Sequence, residues 1–382
     1  MKIVHICLNG FVDGWGYQEN ILPLYQLKRG DEVSIIASST HHPKYISKNE
    51  IAKIKKFGNN YIFDGINMFR IPTFLQTTAV SFINIGLFVT LCKIKPDLIF
   101  HHDVTIPSIM KCILYKLLNP SVKIVVDNHA DSINESKNKV WKFVYNNFTK
   151  CGVKFIQSHI NIFYGVTPAR CDYLKETFGV SPSKIKLLPI GADTDKADNI
   201  DCCIKELKQK YNIPEDSIVI VSGGKMGVDK GTIELINAFD SLKKLYPSLI
   251  LLLFGRFTDD ETKHKAERIK NVYIHGWCDR QKTFELLKLS DVACWPYLHT
   301  TLIEDAIACG IPLVIKKSGN TIHSVNGNGI LLNKGDQDEL YDAINIIISS
   351  NEYGKYRSKS LEFKRKFSYD NLAKQIYEDC TQ

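Results

Sequence analysis

The sequence has 382 residues, of which 44% are hydrophobic and 24% charged, and its 49 Lys and Arg against 41 Asp and Glu give a formal net charge of +8. These values exclude disordered, collagen-like and coiled-coil proteins, and the length predicts two domains. The charge is distributed unequally, because residues 1–192 hold 23 basic and 13 acidic side chains (net +10), whereas residues 193–382 hold 26 and 28 (net −2).

The first ten residues, MKIVHICLNG, contain one lysine and a short apolar run without a small-residue cleavage site. They predict a first β-strand rather than a signal peptide. The 11 cysteines are scattered and include no CxxC pair, which favours free thiols in a reducing cytoplasm over structural zinc. The uncharged stretch 74–92 contains seven polar or glycine residues, so we predict a buried helix there rather than a transmembrane span.

Short apolar runs alternate with segments of helical length along the whole chain. Strands are predicted at 2–8, 32–37, 98–101, 123–128 and 160–164, and then at 218–222, 249–254, 272–275, 292–295 and 313–315. This alternation predicts parallel sheets with crossover helices. Because the pattern is interrupted near 189–193, we predict an α/β protein of two Rossmann-like, doubly wound domains that face a cleft. Ligands are expected at the carboxyl ends of the strands.

The strongest local motif is IVIVSGGKMGVDKG at residues 218–231, an apolar strand followed by a glycine-rich turn. Gly231 opens a predicted helix, and Lys225 and Lys230 flank the turn. Glycines allow close approach to the backbone, and two ammonium groups at a helix N-terminus suit a diphosphate. The spacing fits neither a Walker A motif nor GxGxxG. The alternative is an ordinary βα turn with solvated lysines.

A second motif, WPYLHTTLIEDAIACGIPLV, occupies residues 295–314 and predicts a strand, a loop, a helix and another strand. Thr301 and Glu304 have the spacing of a capping box, which would give Glu304 a structural role. Asp305 follows in the first turn of the helix and is suited to accept hydrogen bonds from ribose hydroxyls.

Together these segments resemble the family 4 glycosyltransferases, retaining enzymes with the GT-B fold. The resemblance covers nearly the whole chain and is specific as a set of motifs. In the C-terminal half the motifs are Gly224-Lys225 with Lys230-Gly231, Phe254-Gly255, His275-Gly276-Trp277, DVACWP at 291–296, EDAIACGIP at 304–312 and NGIL at 328–331. PIGAD at 189–193 looks like the interdomain linker. The N-terminal half is similar at GWGYQEN (14–20), KPDLIFH (95–101) and DNHA (127–130).

The resemblance implies roles for individual residues. Lys225, where the family usually has Arg, and Lys230 would bind the donor diphosphate and stabilise its developing charge. His129 would act near the reacting centre, and Asp305 would hold the ribose. The other donor-binding candidates are Gly14, Gly16, Gly224, Trp277, Cys278, His299, Thr300, Thr301 and Glu304.

One position departs from the family pattern. The first Glu of its Glu-x7-Glu element falls at Tyr297, so the residue that normally contacts the donor sugar is missing. His299, Thr300 and Thr301 are the local candidates to replace it. The motif therefore does not identify the donor sugar.

Two acidic patterns could suggest metal sites. Asp193-Thr-Asp195 is a DxD sequence, but it ends the linker and lacks the fold in which such a motif binds a metal. His101-His102-Asp103 lacks a third spaced ligand, so His101 and His102 are interpreted as cleft-wall residues. We expect no metal and no cofactor.

The basic excess of the N-terminal half falls into two clusters. They are Lys44, Lys48, Lys53, Lys55 and Lys56, and Lys137, Lys139, Lys142, Lys150 and Lys154 with interleaved Val140, Trp141, Phe143, Val144 and Phe148. No nucleic-acid-binding module accompanies them. We interpret them as peripheral contact with an anionic membrane surface. The alternative is an ordinary solvated surface.

The sequence thus predicts a cytoplasmic retaining glycosyltransferase, peripheral on the inner face of the membrane. It would move a sugar from a nucleotide-diphosphate sugar, with UDP favoured, to a lipid-linked glycan in bacterial surface polysaccharide synthesis. The expected domains are 1–190 for the acceptor, 191–365 for the nucleotide sugar, and a C-terminal helix, 366–382, that is a candidate to cross back to the first domain. The alternatives are a GT-B-fold nucleotide-sugar epimerase or hydrolase and a non-catalytic partner subunit.

Overall fold

The computed structural model describes residues 1–40, 46, 48–76, 81–131, 138–349 and 352–381. The chain divides into two compact units, Met1–Pro189 with Leu372–Gln382, and Ile190–Asn371. Each unit contains a parallel sheet with helices packed on it, as the alternation of apolar and helical segments predicts. Lys44 and Lys137, which belong to the two basic clusters, lie outside the described residues.

The first unit is built on one long sheet. Its strands are β1 Lys2–Cys7, β2 Glu32–Ser38, β3 Asn60–Phe63, β4 Ile66–Ile71, β5 Thr73–Gln76, β6 Ser81–Asn84, β7 Leu98–His101, β8 Lys123–Asn128, β9 Ile162–Gly165 and β10 Ile185–Leu187. Its helices are α1 Gln18–Lys28, α2 Lys48–Phe57, α3 Leu87–Ile94, α4 Ile106–Leu118, α5 Lys139–Ile156 and α6 Pro168–Glu176. The sheet order is β10-β9-β8-β7-β1-β2-β4-β3, with β3 and β4 antiparallel and the other pairs parallel.

The inner strands β1, β7 and β8 are buried on both faces, which explains their nearly continuous apolar sequences. The polar exceptions in this interior are His5 on β1, His101 on β7, and Asp127 and Asn128 on β8, each at most 1% exposed. A buried polar group is costly unless it is hydrogen-bonded, so each of these side chains needs a hydrogen-bond partner in the interior.

The prediction of one buried helix over 74–92 is wrong. β5 and β6 instead form an antiparallel hairpin in which Phe74 lies opposite Ile83, and α3 begins only at Leu87. The helix cannot begin earlier because Gly86 has a left-handed backbone conformation (φ 90°) and sits at its N-cap. Among the described residues, no helix combines the length and the apolarity that crossing a bilayer requires.

The second unit has the sheet order β13-β12-β11-β14-β15-β16, and its strand pairs are parallel. Its strands are β11 Ile218–Met226, β12 Leu249–Phe257, β13 Val272–His275, β14 Val292–Trp295, β15 Leu313–Lys316 and β16 Gly329–Leu332. Its helices are α7 Thr194–Asp198, α8 Ile204–Lys210, α9 Thr232–Leu242, α10 Asp260–Arg268, α11 Arg280–Lys288, α12 Leu302–Ala308, α13 Gln337–Ile348 and α14 Tyr353–Phe367.

The last helix, α15 Tyr369–Thr381, begins in the second unit and continues into the first. Near its end, Asp379 accepts a hydrogen bond from the buried Tyr164 of β9 at 2.8 Å and pairs with Lys186 of β10 at 2.5 Å. These two contacts anchor the C-terminal part of α15 at the edge of the first sheet.

Candidate functional site

The glycine-rich segment of the second unit is more extended than predicted. The strand predicted at 218–222 continues to Met226, so the turn begins only at Gly227. It can continue because β11 pairs with β12 along its whole length, with Gly224 opposite Gly255. A Cβ atom on Gly255, where φ is +115°, would lie 2.2 Å from the carbonyl oxygen of Gly224. The close approach of these two strand ends therefore requires glycine.

Lys225 and Lys230 flank the turn that joins β11 to α9. Lys225 is exposed at the end of the strand, and Lys230 is half-buried and pairs with Asp229 at 2.9 Å. The Asp259 carboxylate holds the turn by accepting the backbone N–H of Val228 at 3.1 Å. Two ammonium groups thus flank a fixed turn at a helix N-terminus, which suits an anionic ligand.

The loop between β14 and α12 packs directly on this turn. A Cβ atom on Gly231 would lie 2.9 Å from the ring of Tyr297, and one on Gly224 would lie 3.3 Å from Leu302 and 4.0 Å from the hydroxyl of Thr300. The structure therefore brings together two motifs that are about 70 residues apart in the sequence, as parallel strands that end at one sheet edge must.

The predicted capping box at the start of α12 is wrong. Thr301 has a helical backbone (φ −63°, ψ −11°) instead of the extended conformation of an N-cap, and it makes no side-chain cap hydrogen bond. Oε1 of Glu304 instead accepts a hydrogen bond from Nε2 of His299 at 2.9 Å. Oε2 of Glu304 is buried and has no hydrogen-bond partner within the described part of the chain. The carboxylate therefore does not cap its own helix.

Asp305 is buried in α12 beside Arg280, a residue that the sequence did not single out. Nη2 of Arg280 lies 3.4 Å from Oδ1 of Asp305 and donates to Oδ2 of Asp193 at 2.8 Å. Burial raises the pKa of Asp305 to about 7, with Arg280 opposing the shift and the carboxylates of Glu304 and Asp193 adding to it. Asp193 also caps α7, which gives this Asp of the DxD sequence a structural task.

Three further predicted residues lie at or beside this sheet edge. Burial raises the pKa of Tyr297, and the neighbouring carboxylate of Glu234 on α9 adds to this shift. Trp277 follows β13 and is 81% exposed, with the half-buried Cys278 next to it. Because neighbouring parallel strands end on one side, Trp277 is on the same sheet edge as Lys225.

In the first unit, the loop between β1 and α1 carries Gly14 and Gly16. Gly14 adopts a left-handed conformation (φ +77°), and the preceding Asp13 forms a buried ion pair with Arg70 at 2.8 Å. Gln18, in the first turn of α1, is 2% exposed, and neither amide atom has a hydrogen-bond partner among the described residues. Arg70 and Gln18 were missed because a single arginine or glutamine has no distinctive spacing.

His129 lies just after β8 and is held by a buried carboxylate. Oδ2 of Asp127 is 3.1 Å from Nε2 of His129 and 2.7 Å from Nδ1 of His102, and Oδ1 accepts the backbone N–H of Asp103 at 3.0 Å. Burial alone would raise the pKa of Asp127, but the two histidine rings hold it well below its usual range. Burial would lower the pKa of His129, yet Asp127 raises it.

His102, Asp127 and His129 also have potential metal-ligand atoms within 4.8 Å of one another. Since both rings are at hydrogen-bond distance from one carboxylate oxygen, we interpret the group as a hydrogen-bonded network. His101 is outside this network, because its Nε2 lies 2.7 Å from the hydroxyl of Ser108. Both His101 and His102 are buried in the interior of the first unit.

Comparisons with known proteins give the chain its enzyme class. Residues 204–366 match the family model "Glycosyl transferases group 1". An uncharacterized glycosyltransferase of Methanocaldococcus jannaschii is 27% identical over 300 residues, 73% of this chain and 67% of that protein. The lipopolysaccharide 1,2-N-acetylglucosaminetransferase of Salmonella typhimurium is 25% identical over 217 residues, 51% of this chain and 55% of that enzyme. The chain thus spans about half of the Salmonella enzyme.

Solved structures resemble the chain over its full length. A glycosyltransferase from Rickettsia africae has a TM-score of 0.71 at 15% identity, covering 100% of this chain and 97% of that one. Anabaena HepE in complex with UDP and glucose has a TM-score of 0.67 at 17% identity, covering 100% and 99%. The predicted α/β fold class, GT-B with two Rossmann-like domains, is confirmed, and so is the prediction of a glycosyltransferase.

Proposed function

We propose that this chain is a retaining, metal-independent glycosyltransferase of family 4 that transfers a sugar from a UDP-sugar to a lipid-linked glycan in bacterial surface polysaccharide synthesis. The observation that carries the proposal is the turn between β11 and α9. It presents Lys225 and Lys230 at a helix N-terminus and packs against the loop that leads to Asp305.

The chemistry of the donor explains why such a turn is useful. When the bond between the anomeric carbon and the diphosphate breaks, negative charge develops on the diphosphate. Fixed positive groups aimed at that charge stabilise the transition state by about 3 kcal/mol per well-placed donor. Asp259 and the paired strands hold the turn in place through contacts within the protein, so little reorganisation of the turn is needed.

UDP is favoured as the nucleotide because the structural neighbour HepE is known in complexes with UDP and with UDP-glucose. Asp305 would accept hydrogen bonds from the ribose, and the exposed ring of Trp277 offers a stacking surface for the base. In the first unit, His129 would polarise the acceptor hydroxyl or the transferred sugar. The reacting ring becomes oxocarbenium-like, and the acceptor attacks from the face that the diphosphate leaves.

The surface of α5 supports peripheral attachment to an anionic membrane. Val140, Phe143 and Phe155 are 73%, 69% and 78% exposed, although their side chains are apolar. Lys139, Lys142 and Lys150 line an open cavity of about 480 Å³ beside Phe143. Apolar side chains beside lysines are typical of a helix that lies in the membrane interface, where each lysine contributes about 1 kcal/mol.

Calorimetric titration with UDP, GDP, ADP and their sugars tests the donor half of the proposal. We expect UDP to bind, and we expect Lys230→Ala to lower the transfer rate about 100-fold, the equivalent of one lost charge donor, while Tm changes little. Lys244→Ala is the matched control, since Lys244 is exposed just beyond the end of α9. Absence of any nucleotide binding would overturn the proposal, and turnover of UDP-sugar without an acceptor would favour an epimerase or hydrolase.

A further inference from the structure

A row of buried polar side chains crosses the middle of the first sheet and ends at His129. Gln26 of α1 lies 2.6 Å from His5 of β1, and His5 lies 3.0 Å from His102, which follows β7. His102 contacts Asp127 of β8 at 2.7 Å, and Asp127 contacts His129 at 3.1 Å. Polar groups in the core of a sheet are costly, and an unbroken chain of hydrogen bonds is the arrangement that makes them tolerable.

The rings are held in fixed orientations by stacking. Phe100 of β7 packs beside both buried imidazoles, with its centroid 5.1 Å from that of His5 and 4.7 Å from that of His102. The ring planes of His5 and His102 are inclined to that of Phe100 by 17° and 30°, and this arrangement leaves the ring nitrogens pointing along the row. The positions of the protons in this row can therefore be traced from one partner to the next.

Counting donors and acceptors along the row assigns those protons. The amide oxygen of Gln26 accepts, so His5 carries its proton on Nε2, and Nδ1 of a neutral His5 must accept from Nε2–H of His102. The other nitrogen of His102, Nδ1, faces a carboxylate and must donate to Asp127. His102 therefore donates from both nitrogens, and only the imidazolium form can do so.

The electrostatic surroundings agree with this assignment. Burial and the neighbouring His102 lower the pKa of His5 to about 3, which keeps that ring neutral. Burial would also lower the pKa of His102, but Asp127 raises it well above its usual value.

We propose that His102 is a permanently charged positioning residue, which keeps Asp127 ionised so that Asp127 holds Nε2–H of His129 and directs the chemistry of His129 to Nδ1. The inference rests on the proposed role of His129 and extends it to a second layer of residues. His102 touches no reacting atom, and it acts only through Asp127.

Several titratable groups face this row and contribute to its pH response. Cys7 of β1 contacts His102. Asp103, and Glu19 on α1, raise the pKa of His129 less than Asp127 does. Tyr145 of α5 faces Asp103, and burial raises its pKa to about 12. His101 is neutral beside the row, because burial lowers its pKa to about 4. Asp127 and His102 are the ionised pair at the centre.

Removing His102 would change the balance of charge around Asp127. A neighbouring positive charge disfavours protonation of an imidazole, and a neighbouring negative charge favours it. In His102→Gln, His129 becomes the main cationic partner of Asp127. The titration midpoint of His129 therefore moves to higher pH.

Nitrogen-15 NMR of the full-length protein labelled at histidine tests the assignment directly. At pH 8 we expect both nitrogens of His102 to be protonated and His5 to carry its proton on Nε2. A spectrum in which His102 has one unprotonated nitrogen at pH 8 would overturn the proposal. Since this measurement needs no substrate and no variant, it stays decisive even if the protein transfers no sugar or a variant does not fold.

A matched pair of variants tests the positioning role. We expect His102→Gln to raise the midpoint of His129 and to lower kcat at least 10-fold with an unchanged KM for the donor. His101→Gln is the control, because His101 is as deeply buried but bonds to Ser108 instead of Asp127. If both variants move the His129 midpoint equally, His102 has only a packing role and the inference is wrong. If wild-type protein shows the expected NMR pattern but no transferase activity, the proposed function fails and the proton assignment stands.

Discussion

Replacing Asp305 by Asn should make the protein more stable at neutral pH. Asp305 is 8% exposed, and burial raises its pKa to about 7 although Arg280 lies 3.4 Å away. In the unfolded chain an aspartate titrates near pH 3.9. The folded state therefore holds the Asp305 proton more tightly than the unfolded state does, and ionisation at neutral pH costs stability.

The sign and the size of this cost come from linkage between protonation and folding. Below about pH 4, Asp305 is protonated in both states and does not lower the free energy of unfolding. Between about pH 4 and pH 7, Asp305 ionises in the unfolded chain but not in the folded protein, so the loss of stability increases with pH. Above about pH 7 that loss is constant. A difference of about three pH units corresponds to about 4 kcal/mol. For a domain of the size of the second unit, this free-energy difference corresponds to a Tm difference of about 10 °C.

The assay is thermal unfolding of wild-type protein and Asp305→Asn between pH 4 and pH 8. We expect the Tm advantage of Asp305→Asn to increase from pH 4 to pH 7 and then to level off. Asp342→Asn, which changes an exposed aspartate on α13, is the control and should show no such trend. A Tm difference that does not depend on pH would refute the reasoning. A stability cost borne by a buried carboxylate is typical of residues retained for function, so we also expect the variant to bind UDP more weakly.

Two further predictions concern the strand ends and α5. Gly255→Ala should lower Tm and weaken UDP binding, because its Cβ atom would clash with the carbonyl of Gly224. Gly354→Ala should leave both unchanged or raise Tm slightly, because no atom of the described residues lies within 4 Å of the added Cβ atom. Phe143→Asn should reduce sedimentation with vesicles that contain phosphatidylglycerol several-fold, whereas Ile62→Asn, at a site 70% exposed on β3, should not. Equal effects within either pair would contradict the corresponding interpretation.

Local periodicity predicted much of the fold. Strands such as β7 and β8 are found at the predicted residues, because a strand buried on both faces is a short apolar run whatever its neighbours are. The same reasoning gave a wrong result for the stretch 74–92. Its pattern of apolar and polar residues is compatible with either a helix or a hairpin. In the structure the hairpin precedes the left-handed Gly86 and the helix α3 follows it.

Local sequence could also place the residues that sit at strand ends. Lys225, Lys230 and Asp305 were named from motifs that join a strand to a helix. In parallel sheets such junctions gather at one edge, so the chain order is enough to bring them together. The glycines of this edge are informative for the same reason, since a backbone that approaches another backbone needs a residue without a Cβ atom.

The order of the residues along the chain is therefore enough to specify the alternation of strands and helices, the basic excess of the first half, and the glycine-rich turn at a strand end. It does not specify which charged side chains meet, because that depends on how the elements pack. Arg280 reaches Asp193 across 87 residues, and His5 reaches His102 across 97. Electrostatic energy depends on distance in space and on burial, and no local pattern encodes either. The ionisation of Asp305 and the charge of His102 are thus properties of the folded interior.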